Sequence, residues 1–127
     1  MRFLKTITVA LIIGLLLPST VFASQEGMSV VRDSSKMAVY KYETGIENEY
    51  GFSDYLQNQW KQVWDNWYYF GDDGISKQNT WANIEGKWYY FDQWSVMLHD
   101  TTTPDGYQVN SDGAWVKDGQ VVIETVK

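Results

Sequence analysis

Trp60-Lys61-Gln62-Val63-Trp64-Asp65-Asn66-Trp67-Tyr68-Tyr69-Phe70 returns 21 residues later as Trp81-Ala82-Asn83-Ile84-Glu85-Gly86-Lys87-Trp88-Tyr89-Tyr90-Phe91. Both Trp positions, the Val/Ile position and the whole WYYF block coincide. The match extends backwards, since Gln57-Asn58-Gln59 precedes the first copy and Gln78-Asn79-Thr80 the second. A fixed period of this length is the mark of a repeat architecture. Within each copy, a short apolar strand, two turn residues and a return strand describe a β-hairpin. Glu85-Gly86 suits a tight turn, because Gly accepts positive φ at little cost. Trp64-Asp65 is poorer turn chemistry, so a looser turn is expected there.

A decayed third copy follows. In Gly106-Tyr107-Gln108-Val109-Asn110-Ser111-Asp112-Gly113, Val109 takes the Phe70 slot and Gly113 the Gly74 slot. Its first Trp is missing, and Thr102 stands where the period places it. Asp73-Gly74 and Asp112-Gly113 mark the turns that leave each return strand. Asp118-Gly119, between Trp115-Val116 and Val121-Val122-Ile123, signals one more hairpin. A hairpin of this size is marginal alone. Successive copies must therefore stack, and the fold class is all-β, a short solenoid of hairpins over residues 57–127. Along each return strand Trp67 and Tyr69 share one face, and Tyr68 and Phe70 the other. One face is expected to form the stacked interior and the other to line grooves. Tyr68, Phe70, Tyr89 and Phe91 read as core; the phased Trp read as groove walls.

Outward from the repeats, residues 24–56 carry less. Residues 36–43 have β character, and residues 50–56 read as the tail of an earlier degenerate copy. Residues 24–35 read as flexible. Residues 1–23 form a secretory signal: Arg2 and Lys5 start it, residues 7–17 are apolar, and Val21-Phe22-Ala23 suits a signal peptidase. The apolar run falls short of the ~20 residues that a spanning helix needs. A secreted chain, associated with the cell surface or wall and free of the membrane after cleavage, is the expectation.

Composition narrows the chemistry. The chain has no Cys, which excludes a lipid anchor at the cleavage site, disulfides and thiolate metal sites. Without Arg2 and Lys5, eight basic residues face sixteen acidic ones, a net charge of −8. That balance disfavours nucleic acid and anionic lipid but suits cations. All seven Trp lie between Trp60 and Trp115. A domain of ~100 residues cannot bury so many indoles, so some must line a surface, groove or interface. Enzyme readings are weak. His99 is the only His and reads as a solvated loop residue. No nucleophile elbow is present. Asp72-Asp73-Gly74 reads as a turn rather than a calcium loop. No catalytic residue, metal or cofactor is expected.

The W-x(6)-WYYF spacing, the Gly-bearing turn and the acidic-Gly turn that follows resemble the choline-binding, or cell-wall-binding, repeats of Gram-positive surface proteins. The closing Thr103-Pro104-Asp105-Gly106-Tyr107 and Asp112-Gly113-Ala114-Trp115-Val116 resemble the end of such arrays. The likeness covers residues 57–116. It implies aromatic cages for choline on wall teichoic acid, each built from two Trp of one unit and an aromatic of the next, often with a Met. Carried over, Trp60, Trp67 and Tyr90 make one cage; Trp81, Trp88 and Tyr107, with Met97, make a second. Trp94-Ser95 departs from the usual turn Gly, and Ser76 occupies the slot that Met97 fills in the next copy. The implied partner is a wall polymer carrying choline. The alternatives are a glucan or other carbohydrate bound on the same fold, and a partner protein meeting the aromatic surface. So short an array leaves open whether two copies pair as a homodimer.

Overall fold

The computed structural model describes residues 26–32, 38–47, 50 and 52–125. The signal segment over residues 1–23 lies outside them. The described residues are all-β, as expected. The eleven strands are β1 (Gly27–Arg32), β2 (Ala38–Glu47), β3 (Ser53–Tyr55), β4 (Gln59–Val63), β5 (Asn66–Phe70), β6 (Thr80–Ile84), β7 (Lys87–Phe91), β8 (Thr101–Thr102), β9 (Gln108–Val109), β10 (Trp115–Lys117) and β11 (Gln120–Val121). They form two two-stranded hairpins, β4-β5 and β6-β7. These lie between a three-stranded sheet, β1-β2-β3, and a four-stranded one, β11-β10-β9-β8.

The period in the sequence is a period of hydrogen bonds. Asn58, Asn79 and Asp100, each 21 residues apart and each at φ near 50°, donate their N–H to Gly71, Asp92 and Asn110. The turns after the return strands close alike, with Gly74, Ser95 and Gly113 donating back to those same three carbonyls. Lys77 then donates to Tyr69, and Leu98 to Tyr90. The Trp64-Asp65 turn is no looser than its counterpart: Val63 pairs with Asn66 as Ile84 pairs with Lys87, and Trp64 and Glu85 share φ 52°.

The same pattern reaches back into residues 38–56. Leu56 donates to Tyr42 as Lys77 does to Tyr69, and Ser76 donates to Tyr40 as Met97 does to Trp67. β2 therefore stands where a preceding return strand would, with Tyr40 in the Trp67 slot and Tyr42 in the Tyr69 slot. In β1, Met28 pairs with Tyr42 as Trp60 pairs with Tyr69. A degenerate unit thus caps the stack at its N-terminal end. β1 falls in a stretch whose sequence carries no strand pattern. Its entry is fixed by Glu26, which accepts from the Tyr42 hydroxyl at 2.8 Å and from the Lys61 ammonium at 3.2 Å. Those hydrogen bonds, Tyr42's first, hold the Glu26 carboxyl below its ordinary pKa.

Both faces of each hairpin are interior, not one. The cross-strand register puts Trp60, Gln62, Trp67 and Tyr69 on one face of the first hairpin, and Lys61, Tyr68 and Phe70 on the other. The second face meets β2, where Tyr68 lies edge-on to Tyr40 and Phe70 is tilted against Tyr42. The first face meets the next hairpin: Trp60 and Tyr69 pack on Ile84, Phe91 and Met97, as do Ala82 and Tyr89. Phe70 and Phe91 are wholly buried, and Tyr68 nearly so. Tyr89, read as core, is only half-buried, because it borders an opening between the units.

Ser95 fills the slot where Gly74 and Gly113 stand in the neighbouring copies. It adopts φ 63° and is wholly buried. The left-handed backbone costs a non-glycine residue roughly 1–2 kcal/mol. A buried hydrogen bond from the Ser76 hydroxyl at 2.8 Å offsets part of this, and the Ser76 oxygen accepts in turn from the Tyr40 N–H. That chain of contacts joins three successive units.

Phe91 supplies the centre of this packing, so Phe91→Ala should cost about 3–5 kcal/mol in urea unfolding followed by Trp fluorescence. The exposed Gln120→Ala should stay within about 0.5 kcal/mol of the parent chain.

Candidate functional site

The seam between the two regular hairpins opens on one side into a pocket of about 500 Å³. Trp60 and Trp67 form two of its walls, with ring centroids 6.4 Å apart and planes at 83°. Tyr89 and Met97, from the next unit, supply the others. Tyr89 lies 4.9 Å from Trp60, edge to face. A cation must sit within about 6 Å of a ring centroid to feel its quadrupole. A right-angled corner of this width lets one guest satisfy both indole faces.

The expected grouping of Trp60, Trp67 and Tyr90 is therefore corrected at its third member. Alternation explains the change. Tyr90 shares a face with Trp81, which it meets at 5.4 Å, and points away from the first hairpin. Tyr89 points toward it. Met97, assigned with Trp81 and Trp88, also belongs to the first pocket, where its N–H is fixed by the Trp67 carbonyl at 2.9 Å. Gly113 leaves room for it: a Cβ there would come within 2.5 Å of the Met97 sulfur.

The rim of this pocket is polar. Ser111, Asp112 and His99 complete its lining. Asp112 gives the site a negative edge. Burial first, then the charges of Asp112 and Glu85, push the Tyr89 hydroxyl above its ordinary pKa. His99 is exposed, as a solvated loop residue would be, and it faces Asp100 at 3.0 Å.

A second cluster repeats the theme one unit on. Trp81 meets Tyr107 at 5.8 Å and 90°, and Trp115 at 6.4 Å and 62°; Tyr107 and Trp115 are 5.4 Å apart at 87°. Tyr107 is here the equivalent of Tyr89, as the pairing of Thr102 with Gln108 and of Trp81 with Tyr90 requires. Trp115 occupies the Met97 slot, since it pairs with Val109 as Met97 bridges to Phe91. Sequence reasoning missed Trp115, although its distance of six residues from Val109 equals that of Met97 from Phe91. Trp88 is held differently. Its indole N–H donates to Glu124 at 2.7 Å, and the Glu124 N–H donates to the Gly86 carbonyl.

These geometries agree with what the chain resembles. Residues 75–115 match the model of the choline-binding repeat, and residues 58–76 that of a cell wall binding repeat. The repeats of this chain are choline-binding repeats. Among solved structures, the choline binding domain of Spr1274 from Streptococcus pneumoniae is similar at 29% identity and TM-score 0.54, over 75% of this chain and 99% of that domain. Choline binding protein F from Streptococcus pneumoniae, solved with a peptidoglycan analogue, is similar at 28% identity and TM-score 0.52, over 73% of this chain and 27% of that one. The cell wall endolysin of phage Cp-1, complexed with choline, shares the fold at 21% identity and TM-score 0.52, over 74% of this chain and 26% of its own. Comparison with curated proteins yields no match.

The choline-binding repeats tie their second cluster down with carboxylates. Asp105 accepts from the Thr103 hydroxyl at 2.6 Å and from the Trp81 indole N–H at 2.8 Å, and these bonds lower its pKa in that order. A lowered carboxyl keeps its contacts above the ordinary value and loses them as pH falls through the depressed one. The Trp81 indole proton resonance should accordingly hold steady at neutral pH and shift in acid, with a midpoint under the ordinary Asp value. Asp105→Asn should abolish the step.

Proposed function

We propose that the mature chain is an exported, non-catalytic wall-binding module that takes the quaternary ammonium of a choline-bearing polymer between its hairpins. The observation that carries this is the corner of Trp60 and Trp67, closed by Tyr89 and Met97 and edged by Asp112. A quaternary ammonium has no N–H to donate, so rings must replace its water. Three faces at about 1–2 kcal/mol each total roughly 3–6 kcal/mol, a range that includes the roughly 4 kcal/mol of a millimolar site. The carboxylate at the rim adds attraction for a cation. The cluster of Trp81, Tyr107 and Trp115, with Trp88 beside it, is the second such site. Two weak sites on one chain gain avidity on a polymer that presents many copies of the group. The neighbours named for choline binding support the same reading, as does the acidic charge of the mature chain. Export follows from the leader over residues 1–23, and attachment at the cell surface from the habit of this repeat family. The strands β1 to β3 serve as the N-terminal cap of the module.

A carbohydrate reading has one specific observation in its favour. Trp64 is 89% and Trp94 61% exposed, broad indole faces with no core role. Retention on glucan rather than on choline-bearing wall would select it.

Choline titration followed by Trp fluorescence tests the first reading. Saturation in the millimolar range is expected. Trp67→Ala, which removes one wall of the pocket at a ring that is 40% exposed, should weaken it about tenfold in a variant whose unfolding transition remains cooperative. No change at high millimolar choline would remove choline as the ligand.

A further inference from the structure

The seam that holds the Trp60–Trp67 corner has a second opening, which shares no lining residue with the first. It is a groove of about 490 Å³ along the outer edge of β6, bordered by Tyr69, Trp81, Asn58, Thr80, Asn83 and Lys77. β6 pairs only with β7, so this edge is free of a further strand.

Lys77 is the unusual member. It is partly buried, and its backbone is fixed by the bond from its N–H to the Tyr69 carbonyl at 2.9 Å. Among the described residues its ammonium forms no ion pair; the lysine that does is Lys61. Withdrawing an ammonium from water without a partner is unfavourable. The cation lies across Gly71, where an added Cβ would stand 3.1 Å from Nζ and 3.3 Å from Cε; the Asp73 Oδ1 is 3.3 Å from the same point, near the ammonium but not paired with it. In the next copy both positions differ: Leu98 takes the Lys77 slot and Asp92 the Gly71 slot. A cation and the missing side chain that admits it thus occur together, in one seam only, on a backbone that otherwise repeats.

We propose that this groove binds a sugar unit carrying an anionic group, a carboxylate or a phosphate. The anion meets the Lys77 ammonium. The sugar ring stacks on Tyr69, and the amides of Asn58 and Asn83 with the Thr80 hydroxyl answer its hydroxyls. Asp72 also borders the groove and accepts from sugar hydroxyls. The inference rests on the wall-polymer reading for the source of the sugar alone. A polymer strand would then be held by a cation on one side of the seam and by an anion on the other.

The test titrates the full mature chain with N-acetylmuramic acid, N-acetylglucosamine 6-phosphate and neutral N-acetylglucosamine, each with saturating choline present. Calorimetry and the Lys77 side-chain resonances report binding. The charged sugars should bind once per chain, about tenfold tighter than the neutral one. The two charged probes distinguish a carboxylate from a phosphate source. Lys77→Met should bring charged-sugar affinity down to the neutral level and leave the choline titration unchanged. Gly71→Ala, which displaces the ammonium without removing it, should lower charged-sugar affinity in the same direction. Equal binding of charged and neutral sugars, full affinity in Lys77→Met, or displacement of the sugar by choline would overturn the proposal. Sugar binding by a chain that ignores choline would support the groove while removing the cage, so the two readings fail separately.

Discussion

Everything in this molecule depends on the contact between one face of a two-stranded unit and the opposite face of the next. A hairpin of five-residue strands cannot bury enough apolar surface to stand alone. Here Trp60 and Tyr69 close over Phe91, Ile84 and Met97, and Tyr68 and Phe70 close over β2. Each unit is stable because both of its faces are covered. The units at the two ends are correspondingly atypical, as a stack of repeats requires: a three-stranded sheet at one end and a four-stranded one at the other.

The same contact produces the binding geometry. Large rings that pack between units cannot meet along the whole width of a seam, so an opening remains beside them. What borders it is decided at a few slots. The position occupied by Ser76, Met97 and Trp115 in successive copies is the clearest. At the first seam the serine is small and polar, joins Ser95 and Tyr40 through hydrogen bonds, and no corner of indoles forms. At the second, Met97 packs beside Gly113 and completes the wall of a pocket. At the third, Trp115 turns the wall into another ring. A repeated backbone thereby carries three different chemistries.

The acidic residues act on two levels. Over the whole surface they favour cations. Locally, Asp105 and Glu124 hold the indole N–H groups of Trp81 and Trp88, which fixes the rings through their edges. Asp112 instead adds charge at the mouth of the first pocket. Lys77 is the exception to this balance, and its company of Gly71 and open strand edge explains why it tolerates partial burial.

The sequence by itself determined the hairpins, their period and the Trp that would face a cleft, because cross-strand alternation and turn chemistry act over a few residues. Trp60, Trp67 and Trp81 were legible for that reason. The degenerate first unit was legible only as a tail, since Met28, Tyr40 and Tyr42 have lost the WYYF block and keep only its hydrogen bonds. Tertiary structure alone decided which neighbour each ring meets. A shift of one residue along a strand reverses the face, so Tyr89 and not Tyr90 reaches Trp60. Met97 likewise took its place beside the indoles through its bond to the Trp67 carbonyl of the preceding unit, which local spacing does not encode.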